Sequence, residues 1–357
     1  MVIKNRECTC CVNDKTVKHI HFSKDGKCNF CDTYEKYKDQ LHDYENLEKL
    51  FLKKIDRKGN YDYDAVVGFS GGKDSTYVLY RLVHDYKLKV KAFTLDNGFM
   101  SKEARTKIDR LVKELGVEHE YVVCDNSILK DMYHSIVSKY LSPCIACSIL
   151  GYAVMINYAS KMNAKVCIHG RSFYQMFRNF STDVDDIFKP LIEAGLKDEE
   201  IDFNQLYSVI IDKIDLLVDK KLASRVKNEL LRDGKEKGFR DFVAYFLYHP
   251  YDQKEIVSFL EQNTSWRVES EEEHFDCQIH HGALYLKNMM ARRNHLMPEY
   301  SVMVREGVMS KEEAKAKMNQ VIDKEVAESE LKDLCKYANI NYKKLMFKAK
   351  LYSKRWW

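Results

Sequence analysis

The sequence predicts an α/β protein built on a doubly wound parallel sheet, and two observations carry that expectation. The first is alternation. From Asp64 onward, strand patterns at 64–69, 89–95, 119–124 and 165–169 are separated by helical patterns at 75–86, 101–115, 127–140 and 147–163. Strands joined by helix-length crossovers pair in parallel with right-handed connections. The second is the segment Asp64-Ala-Val-Val-Gly-Phe-Ser-Gly-Gly-Lys-Asp-Ser75. An apolar strand there runs into two adjacent glycines and then into a helical face made by Tyr77, Leu79, Tyr80, Leu82 and Val83. Ligands of such sheets bind beyond the carboxyl ends of the strands, and the glycine turn, Asp96 and Gly170 all fall there.

Different patterns flank this domain, expected at 61–182. Residues 1–35 are rich in cysteine and poor in core apolar residues, which reads as a separate small module. Residues 36–60 are charged, with Tyr37, Leu41, Tyr44, Leu47, Leu50 and Phe51 spaced for one helical face, and read as a helical connector. The region 183–357 is expected to be mainly helical. Within it, 183–247 carries faces that include Ile210, Ile214, Leu217, Leu222 and Val226. A surface helical subdomain is the first reading of that stretch; a substrate-facing insertion or a homodimer surface are the others. Residues 310–348 are again helical in pattern. The end, 343–357, mixes Lys and Arg with aromatic residues, which suits packing against the domain and also contact with RNA.

The 357 residues include 31% charged and 12% aromatic residues, an ordinary globular composition that leaves room for two domains and a small module. A net charge of +4 neither demands nor excludes a nucleic-acid partner. No apolar run of about 18 residues is read, so no membrane span is expected, and the first residues are too polar for a secretory signal. A cytoplasmic location follows as the expectation. In a reducing compartment, eleven cysteines point to metal ligands or reactive thiols rather than disulfides.

Adjacent glycines let a backbone take up positive φ and approach an anion closely. The N–H groups of Ser70, Gly71, Gly72, Lys73, Asp74 and Ser75, at a helix N-terminus, are therefore candidates to hold phosphates. The spacing is not that of a Walker A loop. A second constellation is Cys8-x-x-Cys11, sixteen residues, then Cys28-x-x-Cys31. Two such knuckles complete a tetrahedron of thiolates around a structural zinc, which would also supply the folding free energy of so short a module. Cys10 reads as a bystander, with replacement of Cys8 as its alternative role.

A third constellation is Ser142-Pro143-Cys144-Ile145-Ala146-Cys147, with Pro143 setting a turn and Cys147 opening a helix. Cysteines at a helix N-terminus are readily metallated. No second CxxC follows, and Cys277, in the His-rich stretch His274–His281, is the candidate third ligand. Three readings stay open: a [4Fe–4S] cluster on Cys144, Cys147 and Cys277 with one open iron, a persulfide on Cys144 or Cys147, and an inert pair on a helix face. Cys124, Cys167 and Cys335 read as buried apolar residues. His274, His280 and His281 are candidate acid–base groups or metal neighbours, and solvated surface histidines are the commoner explanation.

The string Ser70-Gly-Gly-Lys-Asp-Ser75 resembles the PP-loop of ATP pyrophosphatases, of the HUP/PP-loop fold type. Most of the chain is similar to N-acetyl sugar amidotransferases, through Cys-x-x-Cys with Phe22-Ser-Lys-Asp-Gly-Lys-Cys-Asn-Phe-Cys31, Tyr248-His-Pro-Tyr-Asp-Gln-Lys-Glu255 and Arg305-Glu-Gly-Val-Met-Ser-Lys-Glu-Glu-Ala314. The cysteines 144, 147 and 277 depart from that pattern and are similar to the set in iron–sulfur-dependent PP-loop sulfur transferases. The resemblances imply ATP and Mg2+, with Lys73 neutralising pyrophosphate, Asp74 contacting magnesium, and Asp96, Gly170 and Arg171 at the nucleotide. Arg171 reads equally as a plain surface salt bridge. They imply that a substrate carbonyl oxygen is adenylated and then replaced by sulfur held at Cys144, Cys147 and Cys277, with a sulfur donor as partner and a tRNA or small molecule as substrate. The rival enzyme is an amidotransferase that takes ammonia from a partner glutaminase. The rival outside enzymology is a zinc-ribbon RNA-binding protein.

Overall fold

The computed structural model describes residues 7–17, 19–56, 58–177, 203–268, 276–291 and 294–354. Its centre is a five-stranded sheet in the order β3-β2-β1-β4-β5, every pairing parallel: β1 Tyr63–Gly68, β2 Val90–Asp96, β3 Glu118–Val123, β4 Ala164–His169 and β5 Asp241–Ala244. The doubly wound parallel sheet expected from alternation is the observed one. β1 lies at its centre, with Ala65, Val66 and Val67 wholly buried, because helices cover both faces of a parallel sheet. The chain winds outward through β2 and β3, then reverses to β4 on the other side of β1. That reversal leaves a crevice between the carboxyl ends of β1 and β4, the place where open α/β sheets take ligands.

Two elements differ from the sequence expectation. β5 falls inside the stretch expected to be helical. All four of its residues are buried, so it has no polar face to produce alternation, and a short apolar run does not distinguish strand from helix. The fourth main helix starts at Pro143 rather than 147 and runs to Lys161. Proline is favoured at the first helical position, and this puts Cys144 in the first turn. By length and composition this helix could cross a membrane, which the sequence reading had not anticipated, but 61% of its window is buried inside the protein. It packs between β4, the helix Asn126–Tyr140 and the helix Arg232–Lys237.

The carboxyl-terminal region is helical, with Met297–Arg305, Lys311–Met318, Lys324–Tyr337 and Tyr342–Lys354 following His280–Ala291. Leu345, Met346 and Ala349 of the last helix are buried while Phe347 and Leu351 are exposed. At the other end, Cys8, Cys11, Val12, Val17, Cys28, Phe30 and Cys31 form a small core of their own that is completed by Met297 and Ala314. The stretch 36–60, read as a connector, contains the helix Tyr44–Ile55, and residue 35 falls inside the helix Asn29–Leu41.

Phe51 ties this connector to the sheet domain. It is wholly buried among the rings of Tyr86, Tyr245 and His249, with centroids at 5.2, 5.7 and 4.6 Å. Phe51→Ala is expected to cost about 3–5 kcal/mol in urea unfolding, while Leu52→Ala, at a neighbouring exposed side chain, stays within about 0.5 kcal/mol. Equal losses would contradict this packing.

Candidate active site

The turn after β1 has the conformation its glycines allow. Gly71 takes φ +73°, and Gly72 caps the helix Lys73–His84 with extended backbone. Gly71 is also close-packed, since a Cβ there would meet Ile108 Cγ1 at 2.9 Å. Three hydroxyls finish the turn. The Gly72 N–H donates to Ser70 Oγ at 3.3 Å, the Ser70 N–H donates to Ser75 Oγ at 3.3 Å, and Thr76 Oγ1 donates to the Gly72 carbonyl at 2.8 Å. The two N–H contacts are long for hydrogen bonds, so an anion can compete for those donors. The positive end of the helix dipole points the same way.

Gly170 follows β4 and meets this turn from the other side of the crevice. A Cβ at Gly170 would lie 3.0 Å from the Asp74 carbonyl oxygen and 3.1 Å from Ser75 Cα. Only a residue without a side chain lets the end of β4 approach the loop this closely. Asp74 is set between two donors: Lys73 Nζ lies 3.5 Å from Oδ2, and the Tyr251 hydroxyl donates to Oδ1 at 3.0 Å. Tyr251 is held by edge-on packing on Phe246 and Tyr174. Sequence reasoning missed Tyr251 as a site residue, although the stretch 248–255 had been singled out; its signal was an aromatic residue just ahead of Asp252, which caps the helix Gln253–Asn263.

Ser70, Gly72, Lys73, Asp74 and Ser75 open onto one cavity of about 1720 Å3 with Gly170, Arg171, Cys144, Cys147 and Cys277. A site for a single small ligand occupies about 300–1,000 Å3, so this one has room for a nucleotide and a second reactant. Arg171 Nη1 donates to the Tyr152 hydroxyl at 3.2 Å. His169, buried at the floor, is pushed down to about 3 by burial, with Arg171 adding to the effect, and so stays a neutral imidazole at pH 7. Asp96 is not on the cavity wall: its carboxylate pairs with Arg105 at 2.7 Å and accepts from the Gly98 N–H at 2.9 Å. Its neighbour Asn97 lines the cavity instead.

The three cysteines come together by two devices. Pro143 starts the helix that carries Cys144 and Cys147. Cys277 reaches them across 130 residues because it pairs with Met100 in an isolated antiparallel bridge, flanked by Gln278 N–H to Phe99 O at 2.8 Å and Ser101 N–H to Asp276 O at 3.0 Å. Asn97 Nδ2 donates to Cys147 Sγ at 3.6 Å. Burial pushes the Cys147 thiol up to about 11 and the Cys277 thiol up to about 12. The set is wider than a single-ion site, because only the amino-terminal four cysteines qualify as a tight group among the described residues. Three thiols around one pocket wall fit the donor chemistry of an iron–sulfur cluster, which takes thiolate ligands. His280 and His281 line the same cavity, with His281 Nδ1 2.8 Å from Glu330 Oε1; His274 lies outside the described residues. Cys124, Cys167 and Cys335 are buried, as the sequence reading expected.

Cys8, Cys11, Cys28 and Cys31 converge as expected. Their sulfurs all lie within 4.8 Å of one another, with Cys8–Cys31 and Cys11–Cys28 at 3.8 Å, and all four residues are buried. Cys10 is exposed. The Cys28 and Cys10 N–H groups donate to Cys8 Sγ at 3.2 and 3.4 Å. Four thiols in mutual contact, with backbone donors aimed at sulfur, fit a structural tetrathiolate zinc site with no open position.

Residues 64–141 match the family model described as Queuosine biosynthesis protein QueC. The match is confined to the stretch that carries β1, the loop Ser70–Ser75 and the elements that follow it up to the helix Asn126–Tyr140. Two uncharacterized proteins of Methanocaldococcus jannaschii are similar over shorter stretches. MJ1599 is 29% identical over 40% of this chain and 51% of its own length, and MJ1638 is 31% identical over 43% and 58%. The chain thus spans about half the length of these relatives. Among solved structures, the U34-tRNA thiolase NcsA from Methanococcus maripaludis with its [4Fe–4S] cluster is 14% identical, with a TM-score of 0.38 over 88% of this chain and 89% of that one. The NH3-dependent NAD synthetase from Campylobacter jejuni is 18% identical, with a TM-score of 0.33 over 54% and 95%.

The close approach at Gly170 and the hydroxyl of Tyr251 make separate predictions. Gly170→Ala must push β4 off the loop, an overpacking cost of about 1–3 kcal/mol, and is expected to weaken Mg-ATP binding by about tenfold or more. Tyr251→Phe removes one donor to Asp74, worth about 0.5–1.5 kcal/mol, and should weaken binding about two- to tenfold. Titration calorimetry checks both; native affinity in Gly170→Ala would mean that the nucleotide does not sit against this loop.

Proposed function

We propose that the protein is an ATP-dependent, pyrophosphate-forming sulfur transferase acting on a carbonyl oxygen. The observation that supports this most is the sharing of one cavity by the loop Ser70–Ser75 and the three cysteines Cys144, Cys147 and Cys277. In the first half-reaction the donors of the loop and the dipole of the helix Lys73–His84 hold the ATP phosphates. Lys73 offsets the charge that grows on the leaving pyrophosphate, and Asp74, oriented by Tyr251, holds magnesium through oxygen or water. The substrate oxygen attacks the α-phosphorus, the bond to the bridging oxygen breaks, and pyrophosphate leaves. The carbonyl oxygen is now part of a phosphate ester and departs later as AMP. The protein contributes position and electrostatics at both stages.

Cys144, Cys147 and Cys277 would hold an iron–sulfur cluster with three thiolates, and when bound it would supply sulfur in the sulfide state beside the activated carbon. Asn97 orients Cys147, and the Met100–Cys277 bridge fixes the third ligand. One observation favours a second reading. The raised thiols Cys147 and Cys277 are neutral at pH 7 when they bind no metal, and a neutral thiol wall suits an amidotransferase in which ammonia is the nucleophile.

Anaerobic purification with iron and acid-labile sulfide analysis separates the two. Sulfur transfer requires a coloured protein with about four irons per chain, and Cys277→Ser should lose most of that iron while ATP binding stays near native. A colourless, iron-free protein that turns over with ammonia would overturn the sulfur reading and support the amidotransferase.

A further inference from the structure

The motif Arg305–Ala314 has no part in the chemistry above, and its contacts give it another role. Its residues grip the amino-terminal cysteine module from almost 300 positions away. Arg305 Nη1 lies 3.8 Å from Cys11 Sγ and 3.7 Å from Cys31 Sγ. The Nε and Nη2 of the same guanidinium are buried with no hydrogen-bond partner among the described residues. Lys311 Nζ donates to the carbonyls of Cys8 at 2.8 Å and Thr9 at 3.3 Å. Ser301 Oγ donates to Asn13 Oδ1 at 2.8 Å, both residues wholly buried. Met297 and Ala314 close the module's small core. The motif's local features serve this grip: Gly307 turns the chain at φ +72°, and Ser310 with Glu313 forms a capping box that starts the next helix beside Lys311.

The same two helices carry cavity wall. Glu299, Tyr300 and Met303 of Met297–Arg305, and Glu313 and Lys317 of Lys311–Met318, line the space that faces the loop Ser70–Ser75. We propose that Arg305 is a positioning residue of the amino-terminal metal centre, and that this centre is the clamp that holds the carboxyl-terminal wall of the catalytic cavity in place. A divalent ion in four thiolates leaves a net negative charge, and a half-buried guanidinium against two of the sulfurs offsets it. Groups that hydrogen-bond a metal's ligands tune the site's affinity by about 10- to 100-fold. The charge on the thiolates in turn gives Arg305 its counter-charge, so metal binding and the docking of residues 297–318 support each other. This coupling holds whichever nucleophile the cavity uses.

The test uses the full-length zinc-loaded protein. Hydrogen exchange is followed by mass spectrometry before and after zinc is stripped with a chelator. Exchange is expected to rise together in 7–41 and in 297–318, with the helix Lys73–His84 unchanged. A rise confined to 7–41 overturns the clamp. In parallel, zinc affinity is measured by competition with a chromophoric chelator. Arg305→Met should bind zinc about 10- to 100-fold more weakly, with Arg305→Lys between it and the native protein. Native affinity in Arg305→Met overturns the positioning role. The exchange experiment on the unmodified chain decides the clamp even if Arg305→Met does not fold.

Discussion

The site depends on one close approach, that of the backbone after β4 to the backbone of the turn after β1. The parallel register sets it up. Gly68 at the end of β1 is level with His169 at the end of β4, so the segments that follow these two strands leave the sheet at one height. Gly170 then lies 3.0 Å, at its absent Cβ, from the Asp74 carbonyl. Interiors are packed too tightly to absorb a methyl group there. The contact joins the segment after β4 to the loop and to the first turn of the helix that starts from it. The switch in strand order supplies the crevice, and the two glycine positions, 71 and 170, let backbone form its walls.

Where the sequence was legible, local chemistry and tertiary structure agreed. Four main strands and the glycine turn were read to within a residue or two because each has a strong periodic or turn signal. The four amino-terminal cysteines were legible because the CxxC spacing constrains geometry directly. β5 was not, since a fully buried four-residue strand leaves no pattern. The helix start at Pro143 was misplaced by four residues because proline signals both a turn and a first helical position, and only the packing decides between them. Tyr251 and Asn97 became visible as site residues only when the sheet brought 74 beside 251 and 97 beside 147. Sequence spacing carries no record of such meetings.

The carboxyl-terminal region shows the same limit at longer range. Arg305 and Lys311 reach the backbone and sulfurs of residues 8–31, and His42 meets Glu306 at 2.9 Å. A module that looks separate along the chain is thus wedged into the helices that border the cavity. Its own core is too small to be stable without help, while the wall helix Met297–Arg305 also packs on the helix Phe173–Phe177 after β4 and places Val302 in the main core. The wall helix thus bridges the module and the sheet domain, which is how a thirty-residue module at one end comes to touch a cavity built by the rest.

The cavity itself is chemically divided. Part of its lining is the charged loop with Lys73 and Asp74; another part carries two thiols, Cys147 and Cys277, held well above neutrality by burial. A thiol so held is almost wholly protonated at pH 7 and is a weak nucleophile, because the thiolate is the reactive form. That argues against a persulfide route that relies on the free Cys147 side chain. A metal removes the obstacle, because a coordinating thiol is deprotonated outright, with the ion repaying the desolvation that raised it. Burial therefore weighs against a bare persulfide on Cys147, one of the two residues that reading named, and leaves the cluster and the inert pair as they stood. In the proposed function, the sulfur and ammonia readings differ only in the second half-reaction. On that proposal, adenylation depends on the loop at the β1–β4 crevice, and the identity of the incoming nucleophile depends on what the cysteine-bearing wall holds.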